Sequence, residues 1–257
     1  MMTVGRVLKT RSRAGSETSA LYTVLLAMIA VGALLSPSFR TLQNVTNVLN
    51  QMVAIGFVAL GQTFPVLTTG IDLSVGSLVS MTTAIAATVM IAGGWSVPLG
   101  LLLCLAAGCL VGLANGILIT AVGIPPLIAT LGTMGLVKGL TLIILPYPGG
   151  YVPSQFTRII LTTVGGVVPL GFVYLVASTL LLALFLRNGR TGRRIYAVGG
   201  HEVKAQIAGI NVNLIKIQTY LLSSGFATLG GLAIAARIRS GDPLVGDPIT
   251  LNSIAAV

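Results

Sequence analysis

The chain alternates long apolar stretches with short breaks that are polar or rich in glycine and proline. Within the apolar stretches, residues do not alternate with the period of two that marks a transmembrane strand, so the pattern predicts helices. A helix needs about 20 apolar residues to cross a bilayer, and we therefore predict an all-α, polytopic transmembrane helix bundle of about seven spans. The expected spans are residues 20–36, 48–69, 76–94, 98–121, 125–145, 166–186 and 216–236.

The composition excludes a soluble protein. Of the 257 residues, 54% are hydrophobic and only 8% are charged, and the mean hydropathy is +0.98. A soluble domain carries roughly 25% charged residues, so this chain has too little polar surface to cover a globule in water. The sequence therefore predicts a multi-pass protein whose main surroundings are the lipid bilayer.

The net charge of +10 is concentrated in two clusters. Because positive charge gathers in cytoplasmic loops, we predict a basic cytoplasmic N-terminal tail (1–19) and a single transmembrane domain (20–257) with a cytoplasmic loop at about 187–215. This distribution argues against nucleic acid as a partner. The basic residues are Arg6, Lys9, Arg11 and Arg13 in the tail, and Arg187, Arg190, Arg193, Arg194 and Lys204 in the loop.

The sequence offers little catalytic chemistry. His201, the only histidine, falls in the basic loop, and Asp72 is the only carboxylate inside an apolar region. We therefore expect no catalytic residues, no metal site and no cofactor, and an intramembrane hydrolase is a remote alternative. The chain has no phosphate-binding loop, so it does not hydrolyse ATP by itself. Transport or channel activity remains as the expected function.

The stretch GIDLSVGS (70–77) places a carboxylate between two apolar segments. An ionised carboxylate is costly in hydrocarbon, so Asp72 needs a structural or functional reason. In one interpretation, Asp72 or Ser74 caps a helix that begins near Val75. In the other, a broken helix lines a cavity, and Asp72, Ser74 and Ser77 are pathway candidates. We expect Asp72 to be ionised and to lie at the N-terminus of this helix.

The loop segment GRRIYAVGGHEVKAQIAGI (192–210) predicts a short exposed helix between glycine hinges. A helix of this kind on the cytoplasmic side is typical of a docking element, and the alternative is a surface helix held to lipid headgroups by charge. The candidate residues are Gly199, Gly200, His201, Glu202, Ala205, Gly209 and Ile210.

Lys138 lies within an expected span, about seven residues from its outer end, which is roughly 10 Å of helix. Its long side chain either reaches the membrane interface or packs within the bundle, and a role in a transport pathway is the alternative.

Small residues recur every four positions in the fourth expected span, at Gly108, Gly112 and Gly116 among others. In lipid, such stripes let helix backbones approach closely. We expect a close helix–helix contact there, and the stripe indicates nothing about a substrate.

Three motifs in order resemble the inner-membrane permeases of bacterial sugar ATP-binding-cassette (ABC) importers, such as the ribose, xylose, galactoside and galactofuranose permeases. They are GIDLSVGSLVS (70–80), GIPPLIATLGTMGLVKGL (123–140) and GRRIYAVGGHEVKAQIAGI (192–210). The resemblance covers residues 20–257 and implies a permease domain in the bacterial inner membrane that forms the translocation pathway for a monosaccharide.

The resemblance also implies a set of partners. These are a second permease subunit, identical or different, a cytoplasmic ABC ATPase that binds the ATP, and a periplasmic sugar-binding protein that delivers the substrate. The 192–210 segment matches the part of the family thought to contact the ATPase.

Several alternatives stay open at this point. One is a permease for branched-chain amino acids or another small solute, and another is a passive channel or a non-functional membrane fragment. Family members usually have about ten spans and continue past the position of Val257, so we expect this chain to be truncated at its C-terminus.

Overall fold

A computed structural model describes residue 19 and residues 22–257 of the chain. The basic cluster of the predicted N-terminal tail lies outside the described residues. The chain divides into two compact units between Asn47 and Val48. The single domain expected over 20–257 stays a prediction.

The first unit contains helix α1 (Tyr22–Leu35), a short 3₁₀ helix (Pro37–Arg40) and the beginning of helix α2 (Leu42–Leu67). The Thr41 hydroxyl accepts a hydrogen bond from the backbone N–H of Asn44 at 3.2 Å. This bond satisfies one of the backbone donors that the first turn of a helix leaves free. Thr41 therefore marks the point at which the chain leaves the 3₁₀ helix and enters α2.

The second unit contains the rest of α2 and all later elements. A two-stranded antiparallel hairpin pairs Thr163 with Pro169 and Val164 with Val168. The elements are α3 (Ser74–Val89), a 3₁₀ helix (Met90–Ala92), α4 (Ser96–Thr120), α5 (Pro126–Ile144), α6 (Ser154–Leu161), β1 (Thr163–Val164), β2 (Val168–Pro169), α7 (Leu170–Asn188), α8 (Arg190–Gly200), α9 (Glu202–Ile207), α10 (Val212–Ile238) and α11 (Asp247–Ala255).

Every predicted span corresponds to a helix. Among the described residues, five helices are long and apolar enough to cross a membrane, namely α2, α4, α5, α7 and α10, while α1 and α3 are shorter. The prediction of a polytopic helical bundle is therefore confirmed. The number of crossings and the cytoplasmic position of the N-terminus stay predictions.

Several predicted spans differ from the helices at their ends. The α2 helix begins at Leu42, six residues before the predicted start at 48, and α10 begins at Val212, four residues before the predicted start at 216. The α3 helix stops at Val89 and not at residue 94, because one 3₁₀ turn leads into Gly93, whose φ of 66° no regular helix adopts. The α7 helix begins at Leu170 because the preceding residues form the hairpin. Gly165 and Gly166 take positive φ angles of 62° and 76° at its turn.

Helix α10 lies at the centre of the second unit. In its most apolar stretch 61% of the residues are buried, against 22% in α7. It packs against α4 and α3, and small residues such as Ser223, Ala227 and Gly231 are buried along its length. Since the outer helices are largely exposed, they have apolar surface available for lipid or for another subunit.

The loops gather at two ends of the second unit. At one end, Phe64 of α2 packs in one cluster with Ile195 and Val198 of α8, Ala205 of α9 and Ile215 of α10. At the other end, the 146–153 loop is held by backbone bonds from Tyr151 to Ala87 and between Gly149 and Gly241. The 192–210 segment and the 146–153 loop thus lie at opposite ends of the second unit.

Candidate functional site

Asp72 lies in the loop before α3 and is completely buried. Its Oδ1 accepts hydrogen bonds from the backbone N–H of Ser74 at 3.0 Å and from the Ser74 hydroxyl at 2.6 Å. Its Oδ2 accepts a bond from the Ser223 hydroxyl of α10 at 2.8 Å. The α3 helix begins at Ser74, close to the predicted start near Val75, and its first backbone N–H donates to Asp72, so the carboxylate faces the positive end of the helix dipole.

The hydrogen bonds continue from Ser74 into two further helices. The Asn115 side chain of α4 donates to the Ser74 hydroxyl at 2.9 Å, and the Thr133 hydroxyl of α5 donates to Oδ1 of Asn115 at 2.6 Å. Ser77 points elsewhere and donates to the Ser74 carbonyl at 2.9 Å. We call Asp72, Ser74, Asn115, Thr133 and Ser223 the Asp72 network; it joins α3, α4, α5 and α10.

Two residues complete the surroundings of the Asp72 backbone. The Gln62 amide of α2, oriented to satisfy both groups, donates to the Asp72 carbonyl and accepts from its N–H, each at 3.2 Å. The Tyr220 hydroxyl touches the position that a Cβ on Gly70 would occupy, which explains the glycine. Among the described residues this buried hydroxyl has no hydrogen-bond partner.

The Asp72 network is therefore a closed polar contact between helices. Its carboxylate receives three donors and has no exposed surface, so it needs neither water nor a ligand in this conformation. Sequence reasoning identified Asp72 and Ser74 but missed Asn115, Thr133 and Ser223. The available signal was an isolated amide, Asn115, within an otherwise apolar helix.

The 192–210 segment forms two helices joined at His201, which has an extended backbone. Gly199 is inside α8 and is needed because a Cβ there would collide with the Leu67 carbonyl. Gly200 is the last residue of α8, and the break between α8 and α9 follows it at His201; a hinge at these glycines stays a prediction. Gly209, with a φ of 79°, does end the turn after α9.

The exposed side of α9 differs from the expected one. Ala205 is only 4% exposed and packs into the core, whereas Val203 and Ile207 are 60% and 82% exposed. The carboxylate of Glu202 pairs with Nζ of Lys216 on α10 at 2.6 Å. A groove of about 520 Å³ runs between α9 and the start of α10, lined by Glu202, Val203, Gln206, Gly209, Ile210, Asn211, Val212 and Asn213.

Lys138 of α5 pairs with Oδ2 of Asp247, in the first turn of α11, at 2.7 Å. The lysine therefore has a charged partner, which sequence reasoning did not identify because 109 residues separate the two. Their side chains remain 38% and 49% exposed.

The glycine stripe of α4 faces α10. A Cβ on Gly112 would lie 2.7 Å from the Tyr220 carbonyl oxygen, and a Cβ on Gly116 would lie 2.9 Å from the Cα of Ile217. A Cβ on Gly108 would meet the Thr228 hydroxyl. Because these distances are below van der Waals contact, only glycine allows this helix separation.

The described residues contain no group of three or more His, Cys, Asp or Glu side chains able to hold a metal ion. The polar groups that the fold brings together are hydroxyls, amides, the Asp72 carboxylate and two partly exposed ion pairs. They can hold helices together and form hydrogen bonds with a polar solute.

Residues 44–257 match the family of the permease component of branched-chain amino acid transport systems. The ribose import permease protein RbsC of Escherichia coli is 37% identical over 241 residues, which cover 91% of this chain and 74% of that protein. RbsC of Bacillus subtilis is 35% identical over 239 residues, with coverages of 91% and 73%. No solved structure matches the chain.

A galactose/methyl galactoside import permease, MglC of Salmonella typhimurium, is 32% identical over 256 residues, covering 92% of this chain and 76% of that protein. With five helices able to cross a membrane, the protein is a multi-pass membrane protein. The chain belongs to the permease family whose model matches residues 44–257. It is located in the bacterial inner membrane. It is a transport protein and not an enzyme.

Proposed function

We propose that the chain is the membrane-spanning permease subunit of an ABC importer and forms the passage for a monosaccharide. The observation that carries this proposal is the 37% identity with a ribose import permease over 91% of the chain. The family description refers to branched-chain amino acids. Sugar permeases of two kinds nevertheless align with nearly the whole chain, which favours a sugar over an amino acid.

Uptake measurements test this proposal. Cells that produce the chain with its ATPase and binding protein are given radiolabelled D-ribose, D-galactose or L-leucine. We expect one of the sugars to accumulate only when the ATPase is active, and leucine to remain outside. Uptake of leucine alone would support the amino-acid alternative, and sugar entry without ATP would support a passive channel; both contradict the proposal.

The cytoplasmic ATPase is proposed to dock on α9. Large apolar side chains at Val203 and Ile207 are exposed beside a groove, and exposed apolar groups in a polar loop are typical of a protein contact. Arg193 and Arg194 of α8 are exposed nearby and provide positive charge. An acidic rim around an apolar socket on the ATPase would complement this surface.

The contacts of α9 provide a route for coupling to the spans. The Glu202–Lys216 pair joins α9 to α10, and Gly199 holds α8 against the end of α2. Further along α10, Ser223 bonds to Asp72. We propose that a movement of the ATPase reaches α10 through α9 and changes the Asp72 network.

A periplasmic binding protein and a second permease subunit are the other proposed partners. The opposite end of the protein, where residues 146–153 bond to Ala87 and Arg239, is the surface proposed for the binding protein. The exposed apolar faces of the outer helices leave room for the second subunit. Both identical and different second subunits fit this arrangement.

A further inference from the structure

The Lys138–Asp247 ion pair lies away from the end of the bundle, and both of its side chains are partly exposed. Lys138 is about 9 Å of helix from the last residue of α5, Ile144. On the other side of the pair, the backbone N–H of Gly246 donates to the Ser80 hydroxyl of α3 at 2.9 Å. Ser80 is near the middle of α3. Asp247 therefore begins α11 at about half the depth of the bundle and not at a membrane surface.

Both charged side chains remain open on one side, with exposed fractions of 38% and 49%. An ion pair at this depth is strongly disfavoured against lipid hydrocarbon, so the face that carries it requires a polar environment. The neighbouring surface of α5 combines open glycine positions with exposed apolar side chains such as Leu136 and Ile143, which are 70% and 80% exposed. Cβ atoms added at Gly132, Gly135 and Gly139 of α5 would meet nothing within 4 Å, so bare backbone is exposed there.

We infer that Lys138, Asp247 and the open glycine positions of α5 form part of the wall of the sugar passage, and that the two charged groups bind sugar hydroxyls in transit. This inference rests on the proposed function. A carboxylate accepts hydrogen bonds from two hydroxyls, and an ammonium group donates to hydroxyl oxygens. The pair can therefore bind sugar hydroxyls both as hydrogen-bond donors and as acceptors. Because only Lys138 and Asp247 contact the sugar, and from one side, they release it more easily than a site that encloses the sugar would.

Water access distinguishes a passage from a lipid-facing surface. Single cysteines are placed at Gly135 and Asn252, on the exposed sides of α5 and α11, in a chain with Cys104→Ala and Cys109→Ser. Leu102→Cys, at a position 64% exposed on the apolar α4, is the control. The probe is a charged methanethiosulfonate, which reacts with hydrated thiolates, applied to the transporter assembled with its ATPase and binding protein in membrane vesicles.

We expect the cysteines at 135 and 252 to react at least about tenfold faster than the one at 102, since thiolate forms only where water enters. Reaction at the rate of the control would overturn the inference. If the proposed function is wrong, the unmodified transporter does not take up sugar. If the transporter imports sugar but the cysteines at 135 and 252 react slowly, only the inference about the passage wall is refuted.

Substitution of the pair gives a second measurement. Lys138→Met removes a charged donor, and we expect the half-saturating sugar concentration to rise about tenfold at normal membrane abundance, as for loss of a charged hydrogen bond. The exchange of Lys138→Asp with Asp247→Lys restores the pair but moves each charge. An ion pair that only ties α11 to α5 would regain normal sugar affinity in the exchange, and that result would also overturn the inference.

Discussion

The Ser223 hydroxyl donates a hydrogen bond of 2.8 Å to Oδ2 of Asp72, and both side chains are completely buried. The bond joins α10 to the start of α3, and 151 residues separate the partners in the chain. Because the carboxylate has no contact with water, each of its three donors matters for stability. The network accounts for an acidic residue in an apolar region without requiring a solute.

Ser223→Ala removes the donor to Oδ2 and leaves that oxygen buried. We expect a destabilisation of about 2 kcal/mol, the range for a hydrogen bond to a charged group. Thermal unfolding of the purified protein in detergent measures it. Ser178→Ala on α7, which is outside the Asp72 network, is the matched control and should change the midpoint little. Equal midpoints in the two variants would refute the proposed strength of the bond.

Substitutions of Asp72 distinguish a structural role, in which it holds the helices together, from a role in gating transport. Asp72→Leu removes every acceptor and should prevent accumulation in the membrane. Asp72→Asn keeps one oxygen for the Ser74 donors but lacks the charge. If the network only holds helices, Asn should fold and transport nearly normally. If it also relays ATPase movement, Asn should reach the membrane and bind the ATPase but transport poorly. A Leu variant with normal abundance and uptake contradicts both accounts.

Gly112→Ala should weaken the α4–α10 contact, because the added Cβ would lie 2.7 Å from the Tyr220 carbonyl oxygen. We expect about 1–3 kcal/mol of destabilisation from overpacking, visible as a lower unfolding temperature. Gly225→Ala on α10 is the control, since a Cβ there meets nothing within 4 Å. That variant should be neutral or slightly more stable, because alanine favours helix. A lower unfolding temperature for Gly225→Ala than for Gly112→Ala would show that the glycine stripe of α4 does not form a tight helix contact.

The predicted membrane topology can be tested by labelling two exposed positions at opposite ends of the second unit. Tyr147, in the loop before α6, is 78% exposed, and Ile207 on α9 is 82% exposed. In intact spheroplasts a membrane-impermeant maleimide should label Tyr147→Cys, whereas Ile207→Cys should react only after lysis. Bound ATPase should reduce labelling of Ile207→Cys. Labelling of Ile207→Cys from outside would reverse both the topology and the docking proposal.

Glu202→Lys should lower the association of the ATPase by breaking the ion pair with Lys216. A surface pair contributes only about 0–1 kcal/mol to stability, so the bundle should remain folded. The exchange Glu202→Lys with Lys216→Glu restores the pair, and co-purification of the ATPase measures the result. Recovery in the exchange identifies the pair as the important feature. Continued loss would show that the Glu202 carboxylate itself contacts the ATPase.

The sequence predicted the helices well because a membrane span depends on local composition, which a single stretch such as 98–121 displays completely. Helix ends were less predictable. The end of α3 depends on the backbone of Gly93, and the start of α7 on a hairpin whose residues resemble the neighbouring span. The short helix α11 was not expected, because its nine residues are too few for a membrane span, although Asp247 and Pro248 are residues typical of a helix start.

The contacts of the candidate site were largely beyond prediction. Asp72 was recognisable by its charge, but its partner Ser223 is one of many hydroxyls, and only the packing of α10 selects it. The same applies to Asp247 beside Lys138. For α9, the sequence predicted the helix but not its rotation, which buries Ala205 and exposes Ile207. Which face turns inward is decided by packing against α2, α8 and α10.

The separation of Asp72 from Ser223 along the chain has a consequence for synthesis and membrane insertion. At about 5–20 residues per second, the 151 residues between them take about 8–30 s to emerge from the ribosome. During that interval α3 has entered the membrane or waits beside it, and its carboxylate lacks the α10 donor. Until α10 arrives and supplies the Ser223 hydroxyl, the nascent chain must therefore keep Asp72 hydrated, protonated or shielded by an insertase.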